Sequence, residues 1–200
     1  MTSLNDLAVP DTAATKTALE VASAYQSTAF LNHAHRVHAW AAAHARQHTI
    51  TYDDELLYVA ALFHDIGLTP EFDHATLSFE VAAGHVAHVF AAGAGWPRRR
   101  RDRLSAVIVR HMGPVADVAD DPESHLISRA AATDVVGAGI DDFSPAFRAE
   151  VLRRYPRQGF TDDFLACFTA QAARKPDSSA ADAIRSGLGT RITANPLDDA

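Results

Sequence analysis

The amino-acid sequence predicts an all-α protein made of one helical domain. Apolar residues recur at spacings of three and four along almost the whole chain, and no run alternates strictly between apolar and polar residues as a half-buried strand does. Proline and glycine separate these runs where helices begin or end, as in Trp96-Pro97 and Ser144-Pro145. With 200 residues, 48% of them hydrophobic, the chain can bury a core of its own.

Nine helices follow from the periodic runs. Gly67 and Pro70 close the third of them, and Pro176 separates the eighth from the ninth. The predicted helices span 16–29, 33–48, 54–65, 77–92, 98–112, 123–137, 145–154, 161–174 and 179–187. The predicted boundaries are a flexible N-terminal segment over 1–15, the helical domain over 16–189 and a flexible C-terminal tail over 190–200.

The amino-acid composition limits which partners the protein can bind and in which cellular compartment it is expected. Lysine and arginine number 18 and the acidic residues 25, so the net charge of −7 disfavours binding to nucleic acid and to anionic membranes. No stretch approaches the roughly 20 apolar residues of a membrane span, and no secretion signal is evident. The single cysteine, Cys167, cannot form an internal disulfide. We expect a cytoplasmic protein that acts on a small-molecule substrate. The sequence does not determine its oligomeric state, and a homo-oligomer is one possibility.

The only dense basic run is Arg98–Arg101, at the start of the fifth predicted helix. Cations oppose the helix dipole at this end, and four consecutive residues cannot all face a core. We therefore expect the run to be solvent-exposed, with docking of an anionic partner as the alternative.

Several apolar stripes begin or end in a polar group. In each case the polar group lies at helical spacing from the apolar residues, so it faces the same side of the helix. The inward polar groups identified in this way are His33, His64, His111 and Asp134. Taken singly, an inward histidine is typically a hydrogen-bonded core residue, and an inward aspartate caps a helix or pairs with arginine. Asp65 follows His64 directly, and two imidazoles and two carboxylates that converge would suit zinc, iron or manganese.

Three motifs occur in a distinctive order: Asn32-His33 with Arg36-Val37, then LFHDIG over 62–67, then AATDVVG over 131–137. In this order they resemble the HD-domain superfamily of metal-dependent hydrolases. The resemblance implies an all-helical HD-domain bundle with one divalent metal. It assigns the metal ligands to His33, His64, Asp65 and Asp134.

Further motifs resemble the cyanamide-hydratase branch of that superfamily, and they extend the resemblance over 28–188. They are Ser78-Phe79-Glu80, Val107-Ile108 with His111, Tyr155-Pro156-Arg157 and Lys175-Pro176. The branch implies addition of metal-activated water to a small, largely uncharged nitrile- or cyanamide-like substrate. Zn²⁺ or Fe²⁺ is the expected ion, and Mn²⁺ or Ni²⁺ suits the same donors.

Roles can be assigned to individual residues on this hypothesis. Asp65 serves as ligand and base, and inward-facing His111 transfers a proton, with simple packing as its alternative role. Glu80 is a second acid or base candidate; the alternative is stabilisation of the first turn of its helix. The predicted substrate-pocket residues are Phe63, Phe79, Glu80 and Lys175. Arg36 is expected to pair with a carboxylate.

Three other functions stay open at this point. An HD phosphohydrolase would act on a nucleotide or phosphate ester, and a noncatalytic protein would keep the metal as a structural element. A di-iron HD oxygenase would need His85 or His88 as ligands of a second metal. A helical wheel places His88 almost opposite the apolar stripe and His85 to one side, which favours a single metal.

Overall fold

The computed structural model describes residues 3–7 and 9–198, and it is helical throughout this part of the chain. Its helices are α1 (Ala13–Tyr25), α2 (Thr28–His48), α3 (Asp54–Phe63), α4 (Phe79–Gly93), α5 (Arg98–Arg110), α6 (Pro122–Val136), α7 (Pro145–Arg154), α8 (Phe160–Arg174), α9 (Ser179–Arg185) and α10 (Leu188–Thr193). No strand occurs among the described residues, so the predicted all-α fold is confirmed. None of these helices is long and apolar enough to cross a bilayer.

Side-chain caps explain where most helices begin. The side chains of Asp53, Asp121 and Ser144 each accept a hydrogen bond from the third backbone N–H of the helix they precede. Ser27 caps α2 in the same way, and Gln26 before it is extended. The predicted helix over 16–29 was therefore wrong in its bounds. Gln26 follows the end of α1 at Tyr25, and Ser27 caps α2, which begins at Thr28, five residues earlier than predicted.

Helix α2 is the central element, and it packs against α3, α6 and α8. Alanines line much of its buried surface, which lets neighbouring backbones approach closely. The larger hydrophobic cluster surrounds Trp40, Phe63 and Ile108. A second cluster brings aromatic residues of α8 against the start of α4. His33 and His111 lie against this second cluster, in contact with Phe160 and Phe79.

The basic run at the start of α5 is divided between solvent and ion pairs. Arg98 and Arg99 are exposed, as expected. Arg100 pairs with Asp53 at 2.6 Å, and its guanidinium lies 3.7 Å from the centre of the Trp96 ring. These contacts tie α5 to the beginning of α3, so Arg100 has a structural role.

Both segments predicted to be flexible contain contacts to the domain. The hydroxyl of Ser3 and the backbone N–H of Leu4 donate to the carboxylate of Glu150. At the other end, α10 extends to Thr193, and Asn195 is buried. The parts of these two segments at residues 1–2, 8 and 199–200 lie outside the described residues. The mobility of both segments stays a prediction.

Candidate metal centre

The inward polar groups predicted from the stripes meet at one place. His33 comes from the second turn of α2, His64 and Asp65 follow α3 directly, His111 follows α5, and Asp134 lies near the end of α6. All five side chains are buried. Most of these groups therefore lie at or near the end of a helix. Each continues the buried apolar face of its helix, so its side chain points to the interior.

Gly67 explains the sharp turn after the His64-Asp65 pair. The chain makes a 3₁₀ turn over Ile66–Leu68 that packs against the first turn of α4. A Cβ atom at Gly67 would lie 2.1 Å from the carbonyl oxygen of Phe79. Only glycine permits this approach, which places the pair at the centre of the bundle.

Hydrogen bonds fix the tautomer of each histidine. Nδ1 of His64 lies 2.7 Å from the carbonyl oxygen of Ala61, and Nδ1 of His111 lies 2.6 Å from that of Ile108. Carbonyl oxygens only accept, so Nδ1 donates in both rings. Nδ1 of His33 similarly donates to Oδ2 of Asp134 at 2.7 Å. In the neutral rings, Nε2 therefore carries a lone pair.

These Nε2 atoms converge with a carboxylate. Nε2 of His33 lies 3.1 Å from Nε2 of His64, and Oδ2 of Asp65 lies 3.3 and 3.4 Å from the two nitrogens. Oδ2 of Asp65 is buried and accepts no hydrogen bond. Three electron-pair donors at this distance repel one another unless a cation lies among them. The donor set of two imidazoles and a carboxylate fits a divalent transition-metal ion.

His111 lies next to this group of three. Its Nε2 is 3.6 Å from Oδ1 of Asp65, and its ring stands edge-on to that of His64, with centroids 5.1 Å apart. His111 therefore borders the group and contacts the oxygen of Asp65 that faces away from the other two histidines. This position allows the proton-transfer role predicted for it.

Asp134 occupies a different position from that of the other three predicted ligands. It lies outside the group of His33, His64 and Asp65, whose ligand atoms are all within 4.8 Å of one another. Its carboxylate accepts two hydrogen bonds from Arg36, at 2.8 and 2.9 Å, and one from Trp40 Nε1 at 2.9 Å. The pairing of Arg36 with a carboxylate is thus confirmed. Asp134 orients His33 in this arrangement, and its direct ligation of a metal stays a prediction.

Two further residues that the sequence argument did not use hold Asp134. Nη1 of Arg157 donates to its backbone carbonyl at 2.9 Å, and Nδ2 of Asn195 donates to the same oxygen at 2.8 Å. Arg157 belongs to the Tyr155-Pro156-Arg157 motif, so that motif contained a signal for it. Trp40 was also detectable, because it lies on the same stripe as His33, seven residues away.

The electrostatics prepare His64 and Asp65, but not His33, for binding a metal. Burial lowers the pKa of His64 to about 4, so its ring is neutral at pH 7. Burial opposes ionisation of Asp65, but neighbouring histidines, His64 first, hold the pKa of its carboxyl well below the usual range. Burial lowers the pKa of His33, yet the carboxylates of Asp134 and Asp65 outweigh burial and raise it. Metal binding would displace a proton held at His33.

A cavity of about 210 Å³ opens onto the group, and His33, His64, Asp65 and His111 form its polar end. Its walls come mainly from apolar residues of α6, α8 and α10: Ala131, Val135, Phe164, Phe168 and Leu188. Arg191 is the only cationic side chain other than histidine among the lining residues. The volume is below that of cavities for drug-sized ligands, so it suits a small molecule.

The residues predicted to line the pocket do not line this cavity. Phe63 is fully buried and packs edge-on against Phe90, at 4.9 Å between ring centroids. Phe79 packs behind His111, at 5.7 Å between centroids. Neighbouring positions in a helix point about 100° apart, so residues adjacent to inward groups face other parts of the core.

The two predicted polar pocket residues have other partners. Glu80 accepts a hydrogen bond from the hydroxyl of Ser179 at 2.7 Å, which joins α4 to α9. Lys175 is buried and forms a 2.8 Å ion pair with Asp73. Both side chains are engaged in fastening the C-terminal helices and are not directed at the cavity.

The two histidines considered for a second metal lie on the outside of α4. His85 is exposed. His88 is partly exposed, and its Nδ1 lies 3.6 Å from Asp102. Neither belongs to the group of His33, His64 and Asp65, so the predicted second-metal role of these two residues receives no support from their positions.

Comparison with known families agrees with the geometry. The HD domain family matches residues 30–135, which is more than half of the chain and includes His33, His64, Asp65, His111 and Asp134. A search of curated proteins found no match to the chain. Proteins with this domain are generally metal-dependent hydrolases. The convergent histidines, the buried carboxylate and the family match together show that the chain belongs to the HD-domain family.

Proposed function

We propose that the protein is a metal-dependent hydratase or hydrolase that adds water to a small, largely uncharged substrate of the nitrile or cyanamide type. The observation that carries this proposal is the cavity: its polar end is the His33, His64 and Asp65 group, and its walls are apolar. An apolar wall favours an uncharged substrate, because a charged one would lose its hydration without compensation. Zn²⁺ or Fe²⁺ is the proposed ion.

When bound, a divalent ion supplies Lewis acidity, which activates water and polarises the carbon that water attacks. His33, His64 and Asp65 would hold the ion, and Asp134 would keep the His33 ring in position. The lone pair on Nε2 of His111 can take the proton that water loses. His111 can then deliver that proton to the nitrogen of the C≡N group, which gains a proton as its carbon gains oxygen.

The same proposal includes a compartment and a partner class. A small molecule is the proposed partner, since the net charge of −7 repels nucleic acid and anionic lipid surfaces. The cytoplasm is the proposed location, because the lone Cys167 cannot form an internal disulfide.

The experiment is an activity assay on metal-loaded protein. Protein reconstituted with Zn²⁺ or with Fe²⁺ is incubated with cyanamide and with short nitriles, and urea or amide is measured. We expect turnover that His64→Ala abolishes together with metal binding at the group of His33, His64 and Asp65. His111→Gln should keep the metal and lower kcat by about 10²- to 10⁴-fold, the usual contribution of a general acid or base.

The matched control is His85→Gln, which replaces an exposed histidine outside the cavity and should leave turnover unchanged. Absence of turnover on every C≡N substrate by fully metal-loaded protein would contradict the proposed substrate class. Equal turnover in His111→Gln would contradict the role of that residue.

Arg191 favours a second candidate, hydrolysis of a phosphate ester. Arg191 lines the cavity, and its Nη1 donates a hydrogen bond to the carbonyl oxygen of Ser186 at 2.7 Å. An arginine with unused donors can bind a phosphate oxygen. Phosphate release from nucleotides or p-nitrophenyl phosphate, lost in Arg191→Ala, would favour this candidate over the hydratase.

A further inference from the structure

A second cluster of histidines lies at the other end of α2. His44 and His48 are one turn apart on α2, with ring centroids separated by 4.3 Å, and the His125 ring of α6 lies 6.0 Å from that of His44. In the candidate metal centre the ring centroids of His33 and His64 are 5.0 Å apart, a value between these two separations. The three rings are therefore neighbours, although their nitrogens do not converge in the present rotamers.

His44 has unused ligand capacity. Its residue is 7% exposed, and its Nδ1 is buried without a hydrogen-bond partner. A buried imidazole normally has hydrogen bonds, so an unpartnered one beside two other imidazoles points to a ligand. Burial, followed by the nearby charge of Arg129, lowers its pKa to about 4, so the ring is neutral at pH 7 and able to coordinate a cation.

His125 is oriented like a metal ligand. Its Nδ1 donates to the carbonyl oxygen of Ala116 at 2.9 Å, which leaves the lone pair on Nε2. The same arrangement holds His64 and His111 in the first centre. His48 is exposed, and its side chain can turn to bring a third nitrogen to the ion, a rotation the site requires because these three rings do not form a closed group in the present rotamers.

Charges of both signs lie near the cluster. Arg129, whose positive charge contributes to the lowered pKa of His44, pairs with Asp142 at 2.5 Å, and the Asp142 carboxylate acts in the opposite direction. The site is also separate from the first centre. His44 is eleven residues from His33, which corresponds to about 16 Å along the helix.

We propose that His44, His48 and His125 form a second metal site, specific for a late first-row divalent ion such as Zn²⁺, Ni²⁺ or Cu²⁺. Imidazole ligands suit these ions. The bound ion joins α2 to α6, the two helices that carry His33 and Asp134. It thus clamps the pair of helices that supports the first centre, and it does not depend on the proposed function of that centre.

Zinc titration of the full chain, with any affinity tag removed, tests this site. In His64→Ala/Asp65→Ala, which lacks two ligands of the first centre, isothermal titration should detect one Zn²⁺ per chain. Adding His48→Ala or His125→Ala should weaken this binding at least tenfold. Zn²⁺ should raise the Tm of the double variant, and His48→Ala should remove that rise.

Matched controls separate the cluster from general histidine binding. His85→Ala and His88→Ala, on the outer face of α4, should leave the titration unchanged. Should the double variant fail to fold, His48→Ala in the otherwise unchanged chain should reduce the metal-to-protein ratio from two to one. Undiminished zinc binding in both His48→Ala and His125→Ala, or no binding in a folded double variant, would overturn the proposal.

Discussion

Arg36 and Asp134 form a bidentate ion pair that has no contact with solvent. Nε of Arg36 donates to Oδ1 at 2.8 Å and Nη2 donates to Oδ2 at 2.9 Å, and both side chains are fully buried. Removing one member of such a pair leaves an uncompensated charge in the interior. The pair is thus a point where the stability of the domain and the geometry of the metal centre depend on the same two residues.

Replacing Arg36 should therefore be strongly destabilising. We expect Arg36→Met to lower the free energy of unfolding by about 3 to 5 kcal/mol, because the Asp134 carboxylate stays buried without its partner. Urea denaturation measures this loss. The control is Arg129→Met, which breaks a partly exposed pair with Asp142 and should cost about 0 to 1 kcal/mol. Similar losses in the two variants would refute the distinction.

Metal affinity should separate a ligand from a residue that orients one. Asp134→Asn keeps the shape of the side chain but weakens its hold on His33, so we expect metal affinity to fall about 10- to 100-fold, as for residues that orient ligands. His64→Ala should abolish binding at the group of His33, His64 and Asp65. Titration with Zn²⁺ at pH 7 compares them. Loss of binding in Asp134→Asn as complete as in His64→Ala would assign Asp134 to the metal itself.

Gly67 should not tolerate alanine. The added Cβ would lie 2.1 Å from the carbonyl oxygen of Phe79 and 3.0 Å from the backbone nitrogen of Ala83, both backbone atoms that cannot move aside cheaply. We expect a loss of about 1 to 3 kcal/mol or more, as for overpacked cores. Metal affinity should fall as well, because the His64-Asp65 turn would shift.

Gly93→Ala is the matched control for this substitution. Nothing lies within 4 Å of a Cβ atom at Gly93, and the residue ends α4. Alanine there should leave stability unchanged or raise it by up to about 1 kcal/mol. Thermal unfolding of the two variants measures the difference, and equal Tm values would disprove the close contact at Gly67.

Stability should decline in mild acid, and His38 should contribute to that decline. Burial lowers the pKa of His38 to about 4, against 6.5 for the exposed ring. Between these values the unfolded chain binds a proton that the folded chain does not, so stability falls as pH drops from 6.5 towards 4. The loss from this residue approaches roughly 3 kcal/mol.

His38→Gln should flatten this pH dependence. Unfolding free energies measured from pH 7 to pH 4 should decline less steeply in the variant than in the unsubstituted chain. The exposed His85→Gln serves as the control and should leave the slope unchanged. An equally steep decline in His38→Gln would show that other groups cause the acid sensitivity.

The periodicity of the sequence was sufficient to predict the helices and the inward polar groups. Burial of a helical stripe is a local property, so the stripes ending at His64, His111 and Asp134 pointed correctly to the interior. The break at Gln26 and Ser27 was missed because apolar residues continue on both sides of it. Helix α10 was missed because its six residues are too short for a periodic signal.

Contacts between distant parts of the chain could not be read from the sequence in the same way. The orientation of Asp134 depends on Arg36 and Trp40 of α2 and on Arg157 beyond α7. The cavity walls depend on how α8 and α10 pack over α6. Phe63 and Phe79 were predicted to line the substrate pocket, but their side chains pack in the core, because adjacency in sequence does not determine the direction of a side chain.

The division of the cavity between two stretches of the chain has an evolutionary consequence. His33, His64, Asp65 and His111 all fall within residues 30–135, which the family match covers. Phe164, Phe168 and Leu188, which form part of its apolar wall, come from beyond it. Under the proposed function, the reacting residues thus belong to the family domain, whereas part of the substrate-facing wall does not. Substitutions in the last forty or so residues would then alter which substrates fit the cavity and leave the metal-binding residues unchanged.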